Sequence, residues 1–243
     1  MLQKTDLKDK KALITGAGSG IGRAIALRLA ESGMKLALVG RDPRKLTQTA
    51  ALTGRPLDML VLPTDITKPG AMDDIMRILT GHFKGLDVLV NNAGTAQSCP
   101  FEQITEADFD RIMALNVKAP FLLCQRTLPL LRQSSCPTII NIGSVVAHRG
   151  YPGQSIYGAS KHALLGMTKA LAKEVAPDGI RVHMISPGSV YTEMIGSVRP
   201  DLSPEGMISP EEIAELAAYL VEHRGNAVID ELQVHRAGKE PFL

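Results

Sequence analysis

The sequence predicts one α/β domain over residues 1–243, built on a single doubly wound parallel sheet with helices on both faces. Three observations favour this class. Short apolar segments alternate with segments of helical periodicity, a glycine-rich turn follows the first apolar segment, and 243 residues of 44% hydrophobic composition fit one sizeable core. In sheets of this class ligands bind beyond the carboxyl ends of the strands, so functional residues are expected there.

Charge and cysteine content exclude several classes of protein. The formal net charge is +2, and no Lys/Arg cluster is interleaved with aromatic residues, so we expect neither nucleic acid nor a membrane surface as a partner. No apolar segment has the length of a signal-peptide core or of a transmembrane helix, which predicts a cytoplasmic protein. The three cysteines and six histidines lack metal-ligand spacing, so we expect reduced thiols and no metal site.

The first strand-turn-helix unit contains the glycine-rich segment. The apolar run Lys11–Thr15 predicts a strand, and helical periodicity begins at Arg23. Between them lies Gly16-Ala-Gly-Ser-Gly20-Ile-Gly22, which suits a Rossmann-type dinucleotide site. Glycines let the backbone approach a pyrophosphate, and the helix N-terminus offers free N–H groups. A plain structural turn is the alternative.

The second strand predicts which nicotinamide cofactor is bound. Sites for NAD carry an acid about 20 residues past the glycines, whereas a nearby arginine accommodates the 2′-phosphate of NADP. Here a strand over residues 35–39 is followed by Gly40 and Arg41, so we predict preference for NADP(H) over NAD(H). Arg41 as a solvated surface charge is the alternative. Asp42 is a rival ribose ligand, but we favour it as the N-cap of a helix that begins with Pro43.

The remaining segments continue the alternation of strands and helices. Pro120 interrupts a helical stretch over residues 106–132 and cannot donate to the carbonyl of Asn116. Asn116 would then offer a free backbone acceptor, and an ordinary proline kink is an equal alternative. Residues 188–210 are predicted to form a mobile substrate loop, or a surface loop without function. The other predicted strands cover 59–63, 86–90, 137–143, 179–185 and 228–234, and the other helices cover 69–83, a stretch through 157–172, and 210–223.

A serine, a tyrosine and a lysine carry the predicted chemistry. Ser144 follows a buried strand, and Tyr157 and Lys161 are four residues apart, so they share one face of a helix. At about 4 Å and an effective dielectric near 20, an ammonium favours a phenolate by roughly 4 kcal/mol, or about three pKa units. We therefore expect Lys161 to lower the pKa of Tyr157, so that the phenol acts as acid and base near neutral pH. The Tyr-x-x-x-Lys pair alone is a weak signal.

The order of the motifs is more specific than any one of them. They are Thr15-Gly16-x-x-x-Gly20-Ile21-Gly22, Asp65, Asn91-Asn92-Ala93-Gly94, Asn116, Ser144, Tyr157-x-x-x-Lys161 and Pro187-Gly188. Over residues 11–192 the chain thus resembles the short-chain dehydrogenase/reductase family. The resemblance implies that Tyr157 protonates the carbonyl oxygen during reduction and that Ser144 hydrogen-bonds the substrate oxygen. It also implies that Lys161 holds the nicotinamide ribose and lowers the tyrosine pKa, and that Asn116 anchors a water in a proton relay.

The same resemblance implies a set of cofactor contacts. Asp65 and Ile66 would bracket the adenine, residues 92–94 would line the cofactor, and Thr192 would meet the carboxamide. The full predicted set is Gly16, Ser19, Gly20, Ile21, Gly22, Arg41, Asp65, Ile66, Asn92, Ala93, Gly94, Tyr157, Lys161, Pro187, Gly188 and Thr192.

Two departures from the family pattern matter. Ser19 stands where many NADP-using members have a basic residue, so the 2′-phosphate prediction depends on Arg41. The segment Val234-His-Arg-Ala-Gly238 replaces a Val-Asp-Gly-Gly-like end that often contributes to the subunit interface. The resemblance nevertheless implies a homodimer or homotetramer.

The leading hypothesis is an NADP(H)-dependent carbonyl reductase acting on a small-molecule ketone, aldehyde or 3-oxoacyl group. A dehydrogenase of small hydroxy acids or polyols is the second, in which Arg199 pairs with a substrate carboxylate. A cofactor-sensing binding protein without turnover is the third. His148 facing solvent is favoured over His148 touching substrate. The residues expected to shape the substrate pocket are Val145, Val146, His148, Tyr151, Met194 and the loop around Arg199.

Overall fold

The computed structural model describes residues 4–198, 201 and 203–239. The strands are β1 (Lys11–Thr15), β2 (Lys35–Gly40), β3 (Met59–Pro63), β4 (Val88–Asn91), β5 (Thr138–Ile142), β6 (Arg181–Pro187) and β7 (Glu231–Val234). The helices are α1 (Gly20–Glu31), α2 (Pro43–Leu52), α3 (Ala71–Phe83), α4 (Glu106–Met113), α5 (Ala119–Leu131), α6 (Ser155–Val175), α7 (Glu193–Val198) and α8 (Pro210–Glu222). A π-helical turn, Ala114–Lys118, joins α4 to α5.

The seven strands form one sheet in the order β3-β2-β1-β4-β5-β6-β7, and every paired neighbour is parallel. From β1 the chain first builds outward through β2 and β3, then crosses back to place β4 on the other side of β1. This reversal puts a crevice between the carboxyl ends of β1 and β4, where doubly wound sheets bind their ligands.

Successive residues of the central strands face opposite layers of helices. Ala12 and Ile14 of β1 pack in a core cluster with α1 and α8, whereas Leu13 packs in a second cluster with α3 and α5. Because side chains alternate across a strand, a sheet covered on both faces has continuous apolar strands. The predicted doubly wound parallel sheet with helices on both faces is confirmed.

Most element bounds differ from the predicted ones by a few residues. The prediction that Asp42 caps a helix is confirmed, since its carboxylate accepts the backbone N–H groups of Arg44 and Lys45. α1 begins at Gly20, so the last glycines of the motif lie inside the helix. The final strand is shorter than predicted and begins at Glu231.

The segment predicted as a loop over residues 188–210 includes a short helix, α7, and a parallel bridge between Val190 and Ile208. Its residues 199, 200 and 202 lie outside the described part of the chain.

The described residues can be examined for membrane-spanning helices, disulfides and metal-binding groups. No helix among them combines the length and apolar character needed to cross a membrane. Cys99, Cys124 and Cys136 are free thiols. No group of three His, Cys, Asp or Glu side chains that could hold a metal ion occurs within residues 4–198, 201 and 203–239.

Candidate active site

A cleft of about 2300 Å³ runs along the carboxyl edge of the sheet. It collects most of the residues predicted for cofactor binding and catalysis. Two predicted residues, Gly22 and Asn116, do not line it. Those that do are Gly16, Ser19, Gly20, Ile21, Arg41, Asp65, Ile66, Asn92, Ala93, Gly94, Ser144, Tyr157, Lys161, Pro187, Gly188 and Thr192.

The glycine turn closes tightly against the end of β4. The Asn92 side-chain amide donates to the carbonyl of Thr15 at 2.9 Å, and the Thr15 hydroxyl accepts the backbone N–H groups of Asn92 and Ala93, each at 3.0 Å. Gly16 has φ +67°, and a Cβ there would lie 2.7 Å from Asn92 Nδ2. A Cβ on Gly22 would overlap the Gly16 carbonyl oxygen and the same amide nitrogen. Both glycines are therefore required by the packing of the protein itself.

The same turn leaves room and donors for an anionic ligand. Ser19 is the N-cap of α1 but makes no side-chain capping hydrogen bond, so its side chain does not cover the helix N-terminus. Gly20 has φ +52° and lies directly against Thr192, because a Cβ there would be 3.0 Å from the threonine methyl carbon. A helix N-terminus approached through glycines suits a pyrophosphate, so the residues present fit a dinucleotide.

The end of the cleft that is predicted to bind adenosine carries an accessible cation. β2 ends at Gly40, and Arg41 is exposed with no hydrogen bond or ion pair among the described residues. Asp65 follows the neighbouring strand β3, and its pKa is lowered, mainly by the Thr67 hydroxyl and, to a smaller extent, by the Arg41 charge. The Asp42 carboxylate caps α2, so the nearest acid is engaged with backbone N–H groups.

Ser144, Tyr157 and Lys161 meet at the centre of the cleft. Ser144 follows β5 and begins a short 3₁₀ turn, Val145–Ala147, while Tyr157 and Lys161 lie in the first two turns of α6. Lys161 is only 6% exposed, and its Nζ donates to the carbonyl of Ile142 at 2.8 Å. The same atom lies 5.8 Å from the centroid of the Tyr157 ring. A hydroxyl, a phenol and an ammonium therefore converge where the strands end.

The expected direction of the Tyr157 pKa shift is wrong for this structure. Burial raises the pKa of Tyr157 above its usual value, and the hydrogen bond with the Ser144 side chain only partly opposes this effect. Burial also lowers the pKa of Lys161 to about 8. The sequence argument counted only the attraction of an ammonium at about 4 Å and an effective dielectric near 20. In the structure both groups are desolvated, and Lys161 bonds a carbonyl. Here the neutral phenol is the favoured form.

Asn116 lies behind the cleft wall at the π-helical turn. Its side chain accepts the Thr95 N–H at 2.9 Å and donates to the Thr95 carbonyl at 2.8 Å and the Ser160 hydroxyl at 3.0 Å. A Cβ on Gly94 would lie 3.3 Å from Asn116 Oδ1 and 3.8 Å from Lys161 Nζ, so these two side chains flank the same glycine. The predicted kink at Pro120 takes the form of a π turn, in which the Ala119 N–H bonds the Ala114 carbonyl.

The end of the cleft that is predicted to bind substrate, called the substrate end below, differs from prediction at one residue. Val145, Val146, Tyr151 and Met194 line the cleft as expected. His148 does not line it, and it is not a solvent-facing side chain: it is part-buried, with Nε2 2.7 Å from Glu231 Oε1. Hydrophobic periodicity and motif spacing could not predict this contact, because His148 follows β5 and Glu231 lies in β7. Arg199 lies outside the described residues.

Sequence reasoning missed other charged residues of the cleft. Arg149 lines the substrate end and makes no hydrogen bond or ion pair among the described residues. Lys45 of α2 forms a 2.6 Å ion pair with Glu193 of α7, joining the nucleotide side of the cleft to the predicted substrate loop. Glu231 lines the cleft from β7. None of these residues belongs to a motif, so only the folded geometry identifies them.

Comparison with other proteins identifies relatives along nearly the whole chain. Residues 10–203 match the family model described as short chain dehydrogenase. An uncharacterized oxidoreductase of Staphylococcus aureus (strain N315) is 35% identical over 230 residues, covering 95% of this chain and 98% of that protein. A solved 3-ketoacyl-(acyl-carrier-protein) reductase from Brucella melitensis complexed with NADH is 31% identical, with TM-score 0.85 over 96% of this chain and 98% of that one. The structure of levodione reductase is also 31% identical, with TM-score 0.86 over 96% and 98% of the two chains.

Proposed function

The protein belongs to the short-chain dehydrogenase/reductase family, and from that membership we propose that it is an NADP(H)-dependent reductase of a small-molecule carbonyl group. The substrate class is a ketone, an aldehyde or a 3-oxoacyl group. The observation that carries the proposal is the convergence of Ser144, Tyr157 and Lys161 in the cleft that the glycine turn also lines. A buried ammonium beside a buried phenol is costly, and such pairs concentrate at functional sites.

Each side chain has a defined task in this proposal. Tyr157 donates its proton to the carbonyl oxygen, and the phenol carries that proton near neutral pH because its pKa is not lowered in this structure. Ser144 donates a hydrogen bond to the same oxygen and stabilises the negative charge that develops there. Lys161 holds the nicotinamide ribose, and Asn116, behind Gly94, supports the path by which Tyr157 regains its proton. The bound cofactor supplies the hydride.

The preference for NADP(H) is supported by charge at the adenosine end. The strand end that would need an acid to hold NAD is Gly40, and the adjacent Arg41 is exposed and unpaired among the residues that the structure describes. A guanidinium matches phosphate geometry with parallel hydrogen bonds. The Brucella reductase was solved with NADH, so the two cofactors have to be compared directly for this chain.

The test is a titration of the purified protein with NADPH and NADH, followed by a panel of ketones, aldehydes and 3-oxoacyl thioesters. We expect tighter NADPH binding and substrate-dependent loss of nicotinamide absorbance. Arg41→Ala should raise the Kd for NADPH about 10- to 100-fold, in line with the loss of roughly 1.5 to 3 kcal/mol of charge-assisted hydrogen bonding, and leave NADH binding unchanged. Arg77→Ala removes the same charge from α3, outside the cleft, and is the matched control.

The outcomes separate the hypotheses. Preference for NADH in the unmodified protein would contradict the role given to Arg41. Tight NADPH binding without turnover of any carbonyl would favour the cofactor-sensing protein over the reductase.

Arg149 supports a second candidate, a dehydrogenase of small hydroxy acids. Its guanidinium lines the substrate end and has no partner in the described part of the chain, so it is available to a substrate carboxylate. This role was expected of Arg199. Under the second candidate, Arg149→Ala raises KM for carboxylate substrates at least tenfold and leaves KM for neutral carbonyls unchanged. An equal effect on both substrate types would exclude it.

A homodimer or homotetramer completes the proposal. Phe109 of α4 and Phe121 of α5 are about half exposed, at 49% and 51%, which suits an apolar contact between subunits. Light scattering should give a multiple of the 26.1 kDa chain mass, and Phe121→Asp should shift it towards the monomer. A monomer at micromolar concentration would contradict this assembly. The cytoplasmic location remains a prediction, which cell fractionation tests.

A further inference from the structure

A three-residue network lies next to the catalytic serine. Glu231 Oε1 is 2.7 Å from His148 Nε2 and accepts the Ser186 hydroxyl at 2.6 Å. Because a carboxylate oxygen accepts, His148 must carry its proton on Nε2. The three residues come from separate parts of the chain: the turn after β5, the end of β6 and the start of β7. One carboxylate therefore joins three elements at the carboxyl edge of the sheet.

The network touches both ends of the turn that carries Ser144. Ser186 is fully buried against the glycine that precedes the serine, since a Cβ on Gly143 would lie 2.8 Å from Ser186 Oγ. His148 ends the turn, and its N–H bonds the Val145 carbonyl at 3.1 Å.

Within the turn, few hydrogen bonds hold the serine in place. The Ser144 hydroxyl accepts the Val146 N–H at a long 3.3 Å, and the Ala147 N–H bonds the Ser144 carbonyl at 2.9 Å. A single 3₁₀ turn is weak by itself because fixing its backbone yields only one or two such bonds. The geometry of the turn therefore depends on contacts with residues outside it. The contact between His148 and Glu231 is one of these.

We infer that Glu231 is a positioning residue for Ser144: through His148 and Ser186 it fixes the turn that aims the serine hydroxyl at the substrate oxygen. The carboxylate itself does not need to touch substrate. Misplacing a catalytic group by about 1 Å can reduce the rate about 100-fold. A residue that only fixes the position of Ser144 can therefore change the rate measurably. The inference rests on the proposed carbonyl reduction for its kinetic readout.

The test compares Glu231→Ala with two variants that keep the hydrogen bonds. Glu231→Gln retains an acceptor for His148 and Ser186, and His148→Gln retains a donor near the Nε2 position. Glu231→Ala should lower kcat/KM 10- to 100-fold while the Kd for NADPH stays within twofold, and both glutamine variants should stay within about threefold of the unmodified protein. Glu215→Ala removes an equal charge from α8 outside the cleft and should change neither quantity.

A double variant separates positioning from direct action. If Glu231 acts through the serine, Glu231→Ala in the Ser144→Ala background lowers kcat/KM by less than about twofold more. A full additional loss would overturn the inference and indicate that Glu231 contacts substrate or cofactor.

Amide hydrogen exchange gives a readout that needs no activity. Glu231→Ala should speed exchange at Val146 and His148, and unchanged exchange at both would overturn the inference. If the unmodified protein reduces no carbonyl, the proposed function fails while the exchange rates still decide whether Glu231 holds the turn. Should Glu231→Ala not fold, His148→Ala takes its place in both experiments, with the same expected outcomes.

Discussion

The proposed nucleotide side of the cleft, at the glycine turn, and the proposed catalytic centre, at Ser144, Tyr157 and Lys161, differ in what holds them in place. In the glycine turn, Gly16 and Gly22 fit against Asn92 so closely that packing alone explains both glycines. At the catalytic centre, packing explains little: Lys161 is nearly fully buried, its one hydrogen-bond partner among the described residues is the Ile142 carbonyl, and burial lowers its pKa to about 8. A feature that stabilises the fold can be explained by stability alone and is weak evidence of function. A feature that destabilises the fold is better explained by a function that requires it. The buried lysine therefore supports an active site more strongly than the glycine motif does.

The largest effect that this comparison predicts is kinetic. Tyr157→Phe keeps the ring and removes the proton donor, so kcat should fall at least 10²- to 10⁴-fold, the usual contribution of acid catalysis. The Kd for NADPH should rise far less than kcat falls, and the unfolding free energy should change little, because the glycine turn is untouched. Tyr219→Phe, on α8 outside the cleft, is the control. If Tyr157→Phe turned over substrate near the rate of the unmodified protein, Tyr157 would not be the proton donor and the proposed catalytic centre would be wrong.

For the glycine turn we expect the opposite result, in which a substitution mainly lowers the free energy of unfolding. Gly22→Ala places a methyl group onto the Gly16 carbonyl and the Asn92 amide, neither of which can move without disturbing β1 or β4. Overpacking of this kind costs about 1–3 kcal/mol of unfolding free energy. Gly166→Ala in α6 has open space around the new Cβ and should instead stabilise by about 0.5–1 kcal/mol. Urea denaturation measures both, and an unchanged midpoint for Gly22→Ala would show that the turn is looser than its packing indicates.

Sequence patterns predicted the sheet and the cleft because their signals are local. Apolar runs located the strands, and the glycine spacing located the turn. The direction of the Tyr157 pKa shift was wrong because it depends on desolvation, and the Tyr-x-x-x-Lys spacing carries no information about burial. The His148–Glu231 contact joins residues far apart in the chain, so no periodicity could predict it. What remained hidden was the environment of the motif residues.

The cost of burying Lys161 can be measured as a dependence of stability on pH. Its pKa is about 8 in the folded protein, against 10.5 for an ordinary lysine, so the unfolded chain binds more protons between these values. The charged side chain thus destabilises the fold below about pH 8, and this penalty disappears as the pH rises to about 10.5. Two to three pKa units correspond to about 3 kcal/mol.

Lys161→Met should therefore raise the unfolding free energy at pH 7 by about 1–3 kcal/mol, after the loss of one hydrogen bond, while abolishing turnover. The gain should vanish near pH 10.5. Lys169→Met, at an exposed position of the same helix, should stay within about 0.5 kcal/mol at both pH values. A Lys161→Met protein that is less stable at pH 7 would mean that the lysine serves the fold, and the contrast with the glycine turn would be lost.

The smallest predicted effect concerns Asp42, which the sequence left between two roles on the nucleotide side. Its carboxylate accepts the N–H of Arg44 at 2.9 Å and of Lys45 at 3.4 Å, so Asp42→Ala should cost about 1 kcal/mol of unfolding free energy. Asp42→Asn keeps an acceptor and should restore most of that stability. If capping is its whole task, both variants bind NADPH and NADH within twofold of the unmodified protein. A higher Kd in Asp42→Asn, where the cap is intact, would instead assign the carboxylate to the ribose hydroxyls. In that case Asp42 would be a residue of the nucleotide side whose presence is explained by ligand binding and not by packing alone.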